Sequence, residues 1–424
     1  MRRAAALAAA LLLASAGPAR AHAGLLSSTP AAGDTLRQAP ERLLLRFTEP
    51  VEASSSGLVL LGWDGRATSL VPERDPADVA AFAATLPPLQ PGGYRVQWRT
   101  ISADGHPVDG SFVFYVAGPA TALAPPPAER GMEDAASPAV RIVAAALRGI
   151  GVGVLAALCG LLLFATRLGT SEDRIRRLAT ALAWAAPPLL AAHAVAWALY
   201  ARGPGGDEPL RRLLFDTLAG RVEVARAALA LLALWALALA RRPGLALAFA
   251  AAALAASGAT GHAAAIHPTW SVPAKAIHVA AVAVWLGGLA VLFATARAGD
   301  DFRGLAMRVS SLSLAAVVVL TVTGVLQTLL FVPGLGLLVC CAYGAVILAK
   351  LVGLGALVAI GARNRIRLVP GLPAEGTRAA LRRAVAWELV VMTMVLLAAG
   401  LLAYAPVPRP DLHPGAHATH MEMN

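Results

Sequence analysis

The chain has 424 residues, 58% of them hydrophobic, with 36 Lys and Arg against 25 Asp and Glu for a net charge of +11. So apolar a composition excludes a wholly soluble globular protein, and the basic residues are scattered between apolar blocks, which excludes the single basic face that nucleic-acid binding needs. With three cysteines, none before residue 140, an exported segment has to fold without a disulfide.

At the start of the chain, Met1 to Arg3 form a positive n-region and Ala4 to Ala16 an apolar h-region too short to cross a bilayer. Ala19-Arg20-Ala21 is a small-x-small cleavage site. Residues 1–21 therefore read as a signal peptide, and cleavage after Ala21 makes His22 the new N-terminus. A free α-amine and the ring Nδ1 of the same residue form a chelate suited to a tetragonal, nitrogen-loving ion such as Cu(II).

Residues 22–117 alternate apolar and polar side chains in short stretches punctuated by Pro, Gly and Asp, as in Tyr94-Arg95-Val96-Gln97-Trp98 and Ser111-Phe112-Val113-Phe114-Tyr115-Val116. This pattern predicts one small all-β sandwich. The loop Ser102-Ala103-Asp104-Gly105-His106 lies between two of its strands. An extended conformation there would project Asp104 and His106 to one side, and with the two nitrogens of His22 they would give three nitrogens and one oxygen, a plausible square for Cu(II). Residues 118–139, rich in Ala and Pro and including Pro125-Pro126-Pro127, read as a linker of limited flexibility.

Beyond it, residues 140–405 carry apolar blocks of about 20 residues, the length that crosses a hydrocarbon core at 1.5 Å per residue. Eight spans are predicted, near 140–166, 178–200, 222–240, 244–265, 273–296, 309–331, 336–361 and 384–405, giving an all-α polytopic domain. With the β domain exported, the inner loops hold Arg167, Arg174, Arg176, Arg177, Arg241, Arg242, Arg297, Arg303, Arg308, Arg363, Arg365, Arg367, Arg378, Arg382 and Arg383. The outer segments hold Arg202, Arg211, Arg212, Arg221, Lys275 and Arg409. This bias satisfies the positive-inside rule for a cytoplasmic (inner) membrane protein whose N-terminal domain and C-terminal tail lie outside.

Within the spans, His193, His262 and His278 fall at similar depth in the outer leaflet, and His267 lies in a short outer loop as an entrance ligand. Polar groups at membrane depth face the bundle interior or a wet cavity, so several at one level predict a shared site. The tail, residues 406–424, adds His413, His417, His420, Met421 and Met423, a composition that suits copper in either oxidation state. Cys159 and the Cys340-Cys341 pair sit in the first and seventh spans, where cysteine usually packs as a small apolar residue. Lys350 in the seventh span and Glu388 in the eighth are expected at nearly the same height, as a buried ion pair.

His22-Ala23-Gly24 through Ser28-Thr29-Pro30-Ala31-Ala32-Gly33, Leu45-Arg46-Phe47-Thr48-Glu49-Pro50-Val51-Glu52, and Asp104-Gly105-His106 before Gly110-Ser111-Phe112 resemble the CopC copper-resistance domain. The resemblance implies a periplasmic cupredoxin-like sandwich that binds Cu(II) through residues matching His22, Asp104 and His106. That family's optional methionine-rich Cu(I) loop has no counterpart, because no methionine occurs between Met1 and Met132. Gly258-Ala259-Thr260-Gly261-His262-Ala263, His278 with Trp285-Leu286-Gly287-Gly288-Leu289, Lys350 with Asn364-Arg365, and Glu388 resemble the CopD copper-resistance membrane domain. The pairing implies a CopC/CopD fusion that handles copper at the membrane, in uptake, homeostasis or resistance, with Cu(I) as a candidate ion in the helical domain.

The expected partners are the copper ion, the lipid bilayer and a periplasmic copper chaperone or cuproenzyme, with no nucleic acid. The sequence holds no Walker A motif and no phosphorylatable Asp-Lys-Thr-Gly, and the reading is of a non-enzymatic protein. The alternative is a haem-binding membrane oxidoreductase with a copper-binding ectodomain, since histidines on neighbouring helices at one depth also suit a b-type haem.

Overall fold

The expected alternation of residues 22–117 is realised as two sheets that share one core. A computed structural model describes residues 24–102, 105–117, 137–167, 173–203, 208–261, 264, 268–295, 302–332, 336–340, 342–372 and 376–405. Nine strands lie among the described residues up to 117: β1 (Leu25–Thr29), β2 (Thr35–Leu36), β3 (Arg42–Phe47), β4 (Gly57–Gly62), β5 (Ala67–Leu70), β6 (Glu73–Arg74), β7 (Ala81–Thr85), β8 (Gly92–Ile101) and β9 (Pro107–Val116). One sheet runs β1-β3-β7-β6 and the other β2-β9-β8-β4-β5. All pairs are antiparallel except β2 with β9.

Period-two patterning explains why these residues form strands. In β3, Leu43, Leu45 and Phe47 are buried while Arg42 and Arg46 point to solvent. The core they enter holds Phe82, Val96, Trp98, Phe112 and Phe114. Phe47 is its hinge-point, with the Trp98 ring edge-on at 5.0 Å and the Phe82 ring tilted at 5.2 Å. Aromatic pairs in such arrangements add about 0.5–1.5 kcal/mol beyond area burial. This core stabilises the sandwich with no disulfide in it, as the absence of cysteine before residue 140 requires.

Beyond the linker the helices are α1 (Pro138–Arg167), α2 (Asp173–Arg202), α3 (Leu218–Ala238), α4 (Pro243–Ala255), α5 (Pro268–Thr295), α6 (Phe302–Phe331), α7 (Ala342–Arg363) and α8 (Thr377–Leu402). Short helices at Leu210–Phe215 and Leu337–Cys340 and a π-type turn at Asn364–Leu368 complete them. Six are long and apolar enough to cross a membrane: α1, α2, α5, α6, α8, and α7 taken through Leu368. The chain is thus a β-sandwich followed by a multi-pass helical domain. The sequence reading of eight spans is not met by length in α4, whose 13 residues rise about 20 Å. The 3₁₀ turn Ala256–Gly258 ends that helix where the fourth span was expected to continue. The 21-residue α3 meets the length, but Arg221, Glu223 and Arg226 interrupt its apolar run.

The chain divides into two compact units. One joins the sandwich to residues 195–221, the last turns of α2 and the segment that follows. The other contains residues 142–194 and the chain from residue 222 onward. In the helical unit, Leu155, Leu158, Leu161, Leu162 and Phe164 of α1 share a core with Val282, Trp285, Leu286 and Leu289 of α5.

That crossing explains one of the glycine motifs. A Cβ on Gly160 would overlap the Ala283 carbonyl and the Gly287 backbone, and one on Gly287 would overlap Gly160. Small residues let helix backbones approach closely in lipid, where burial of apolar surface gives little drive for association. Gly287→Leu is expected to destabilise the detergent-solubilised protein by about 1–3 kcal/mol or more through overpacking. Gly355→Leu, at a position with open space around it, should leave the melting temperature near that of the parent. Equal melting of the two variants would remove the close-approach role from Trp285-Leu286-Gly287-Gly288.

Candidate functional site

The loop that carries His106 is a closed turn. Ser102 N–H donates to the His106 carbonyl at 2.9 Å and Gly105 N–H to the Ser102 carbonyl at 2.8 Å. Gly105 adopts φ +85°, a left-handed conformation that glycine accepts without strain. The described part of the loop, Gly105 and His106 against Ser102, is thus a turn. A turn brings the ends of a short segment together, whereas an extended run would separate them. His106 precedes β9 directly and is 3% exposed. Below it, the Ser56 hydroxyl donates to Thr100 Oγ1 at 2.6 Å, and both side chains are buried.

The start of the sandwich is tied to the same region of the fold. Gly24 N–H donates to Thr48 Oγ1 at 3.0 Å, and Thr48 N–H returns a bond to the Gly24 carbonyl at 2.9 Å. Three residues further along, Val51 bridges Ser102, and Glu52 N–H donates to the Ile101 carbonyl at 2.8 Å. The segment Thr48–Glu52 thus leads from the anchored Gly24 to the base of the His106 turn. His22 and Asp104 lie outside the described residues. Nearby, burial pulls the Arg99 guanidinium below its ordinary range, while the negative charge of Asp109 and the Tyr200 hydroxyl act in the opposite direction.

In the helical unit, His193 is fully buried at the hub of a polar cluster that the sequence reading missed. Its Nδ1 lies 3.0 Å from Glu223 Oε2 and its Nε2 lies 3.1 Å from Tyr404 Oη. A carboxylate only accepts, so Nδ1 carries the proton and Nε2 accepts from the Tyr404 hydroxyl. Arg226 Nη1 donates to the same Glu223 Oε2 at 2.6 Å, and its Nε donates to the Ala253 carbonyl at 3.2 Å. From α1, Arg148 contacts Glu223 Oε1 at 3.5 Å and donates to the Ser257 carbonyl and Thr260 Oγ1 at 3.3 Å each. One carboxylate therefore serves two guanidiniums and an imidazole.

The signal that could have found the cluster is the i,i+3 pair Glu223 and Arg226 inside an apolar run, with Arg148 in the first span. Intramembrane ionisable residues rarely stand alone. A carboxylate on Nδ1 is also the arrangement that presents Nε2 of a metal-ligating histidine. Here Tyr404 occupies that nitrogen, so His193 would ligate only after displacing it.

His278 has different partners. Its Nδ1 lies 2.8 Å from Thr323 Oγ1, and the Thr323 hydroxyl donates to the Val319 carbonyl at 2.7 Å. With that hydroxyl proton committed, His278 Nδ1 is the donor and Nε2 keeps its lone pair. His262, His267, His413, His417, His420, Met421 and Met423 lie outside the described residues, as does Cys341, while Cys159 is buried in the apolar core. Among the described residues no three His, Cys, Asp or Glu side chains converge as a metal site.

The expected Lys350–Glu388 ion pair is absent among the described residues. Glu388 instead accepts from Asn364 Nδ2 at 2.5 Å and lies against Gly361. Gly361 is 11 residues beyond Lys350 on α7, about 16 Å along the axis, so the two charges sit at different heights.

A nine-stranded sandwich bearing a buried histidine turn, followed by a multi-pass helical domain, defines a membrane protein with an N-terminal β-sandwich domain. The CopC domain family matches residues 25–117, and the family described as Copper resistance protein D matches residues 303–402. Copper resistance protein C of Escherichia coli is 35% identical over 116 residues, covering 25% of this chain and 90% of the relative. Copper transport protein CutJ of Bacillus subtilis is 26% identical over 421 residues, 92% of this chain and 75% of its own length. Among solved structures, CopC from Methylosinus trichosporium OB3b shows 28% identity and a TM-score of 0.23, covering 24% of this chain and 99% of that one. The chain belongs to the CopC/CopD copper-resistance family, in which the sandwich is the CopC part and the helices carry the CopD part. It is a copper-handling, multi-pass membrane protein.

Proposed function

We propose that the sandwich captures Cu(II) outside the cytoplasmic membrane, through the amine and ring of His22 with Asp104 and His106, and that the helical domain passes copper to or across the membrane. The observation that carries this reading is the buried His106 in a closed turn, at the end of the sandwich to which Gly24 is anchored. His22 is separated from Gly24 by two residues of chain, a reach of about 7 Å. Nitrogen-rich donors with one carboxylate favour Cu(II), and the lack of methionine in the sandwich argues against a separate Cu(I) site there.

In the helical domain, His193 would ligate through Nε2 once Tyr404 yields it, and His278 through the Nε2 that its Thr323 contact leaves unused. His262, with His267 at the entrance, completes the proposed route, and the tail histidines and methionines are proposed to collect copper on the outer side. A periplasmic chaperone or a cuproenzyme is the proposed donor or acceptor. Cellular copper in a strain with the gene deleted and restored tests the direction. Lower accumulation on deletion establishes uptake and higher accumulation establishes export, while unchanged accumulation and tolerance would defeat passage across the membrane. A Soret band in the purified protein that disappears with His262→Ala and His278→Ala would replace this reading of the helices with haem binding.

A further inference from the structure

The His106 turn is gripped from outside the sandwich, by the end of α2 that belongs to the same compact unit. Trp197 donates its indole N–H to the Gly105 carbonyl at 3.0 Å. The Tyr200 ring meets the His106 imidazole edge-on, with centroids 6.0 Å apart. Both aromatic residues are buried, and a spacing of three places them on one face of the helix. Gly105 fits against this face so closely that a Cβ there would come within 3.1 Å of Ala219 and 3.3 Å of the Trp197 indole nitrogen. Two further bonds bracket the contact: Arg99 Nη2 donates to the Ala201 carbonyl at 3.4 Å, and Leu218 N–H donates to Glu52 Oε1 at 3.1 Å.

We propose that Trp197 and Tyr200 are positioning residues of the copper site, fixing the Gly105 turn and the orientation of the His106 ring before metal arrives. The proposal rests on His106 being a copper ligand, as argued above. A ligand ring that is already held in place loses little freedom when it binds, so the entropy of ordering the turn is not charged against metal affinity. The indole N–H on the Gly105 carbonyl fixes the backbone immediately before His106. The Tyr200 ring limits rotation of the imidazole from the side. Copper affinity of the sandwich is then set partly by a helix of the membrane domain, and any movement of the α2 end alters the grip on the ion.

The test uses the full-length protein in detergent, titrated with Cu(II) against a competing chelator and followed by electron spin resonance. Trp197→Phe removes the N–H donor and Tyr200→Leu removes the ring. Each should weaken Cu(II) binding about three- to tenfold, the range expected for loss of one net hydrogen bond or ring contact, and should shift the copper spectrum. Tyr200→Phe, which keeps the ring, should bind as the parent does, and Trp184→Phe, at an exposed position of the same helix, should change neither readout. If His106→Ala leaves the titration unchanged, the ligand assignment itself fails. If His106→Ala abolishes binding while Trp197→Phe and Tyr200→Leu keep the parental affinity and spectrum, the positioning role is overturned and the ligand assignment stands. Lower melting temperatures in those two variants with an unchanged copper spectrum would equally overturn it, since that is the mark of a purely structural contact.

Discussion

Replacing His106 with alanine should weaken Cu(II) binding by the full-length protein at least a hundredfold. Losing a partner hydrogen-bonded directly to a metal-ligating ring typically costs about 10–100-fold in metal affinity, and removal of the ligand itself loses more. The imidazole stands in a closed turn and is 3% exposed. An extra residue ahead of His22 should weaken binding comparably, because it separates the free amine from the ring that completes the chelate. Asp104→Ala should lose less, since water can replace a carboxylate oxygen. Titration against a chelator measures all three, and the spin-resonance spectrum reports whether nitrogen leaves the copper plane. Parental affinity in both the His106→Ala and the extended protein would place the copper ligands elsewhere. Sequencing the N-terminus of the same preparation establishes whether His22 is the first residue, the condition on which the amine ligand depends.

The sandwich and its turn were legible because both rest on short-range rules. Alternation in Arg42–Phe47 and the Gly110–Val116 stretch follows from the two-residue period of a strand, and Asp-Gly-His between two such runs marks a turn whatever the rest of the chain does. The side to which His106 would be held was not legible. Its neighbours Trp197 and Tyr200 are separated from it by about ninety residues of sequence, and nothing in an apolar helix end announces that an indole N–H will meet the Gly105 carbonyl.

Span length was read well where caps and charges are absent and poorly where a helix stops early. Pro243 to Gly258 looks like a membrane span by composition, yet a 3₁₀ turn ends it, and Ser257 and Thr260 turn inward to Arg148 and Ser257's own helix instead of continuing the run. Lys350 and Glu388 were paired by counting depth from assumed span ends, and the 11 residues from Lys350 to Gly361, which Glu388 lies against, amount to about 16 Å of height. Counting depth from assumed ends is reliable only when the ends are known.

Glu223→Ala is expected to be the most damaging single substitution in the helical unit. Glu223 is 1% exposed and is the carboxylate partner of Arg226, itself fully buried, of Arg148 and of the His193 N–H. Removing one member of a buried ion pair typically costs about 3–5 kcal/mol, because the surviving charge stays in a low-dielectric interior without compensation. Here two guanidiniums are left without their carboxylate, so the loss should lie at or above that range and should show as poor membrane insertion or a large fall in melting temperature. Glu223→Gln preserves shape and a hydrogen-bond acceptor but not the charge, and it should fall nearly as far if the charge is what matters. A second change that removes the orphaned cation, Arg226→Met in the Glu223→Gln background, should recover part of the loss, since buried ion pairs can often be replaced by apolar side chains of similar volume without penalty. Thermal melting of these three variants and of Arg226→Met alone in one detergent decides the matter: parental stability in Glu223→Gln, or a double variant weaker than the sum of its two single changes, would show that the cluster is held together by packing and not by charge. The outcome also bears on His193. Loss of the Glu223 carboxylate removes the group that fixes the proton on Nδ1, so a histidine that serves as a copper relay through Nε2 would lose that role in Glu223→Gln even at a temperature where the protein remains folded.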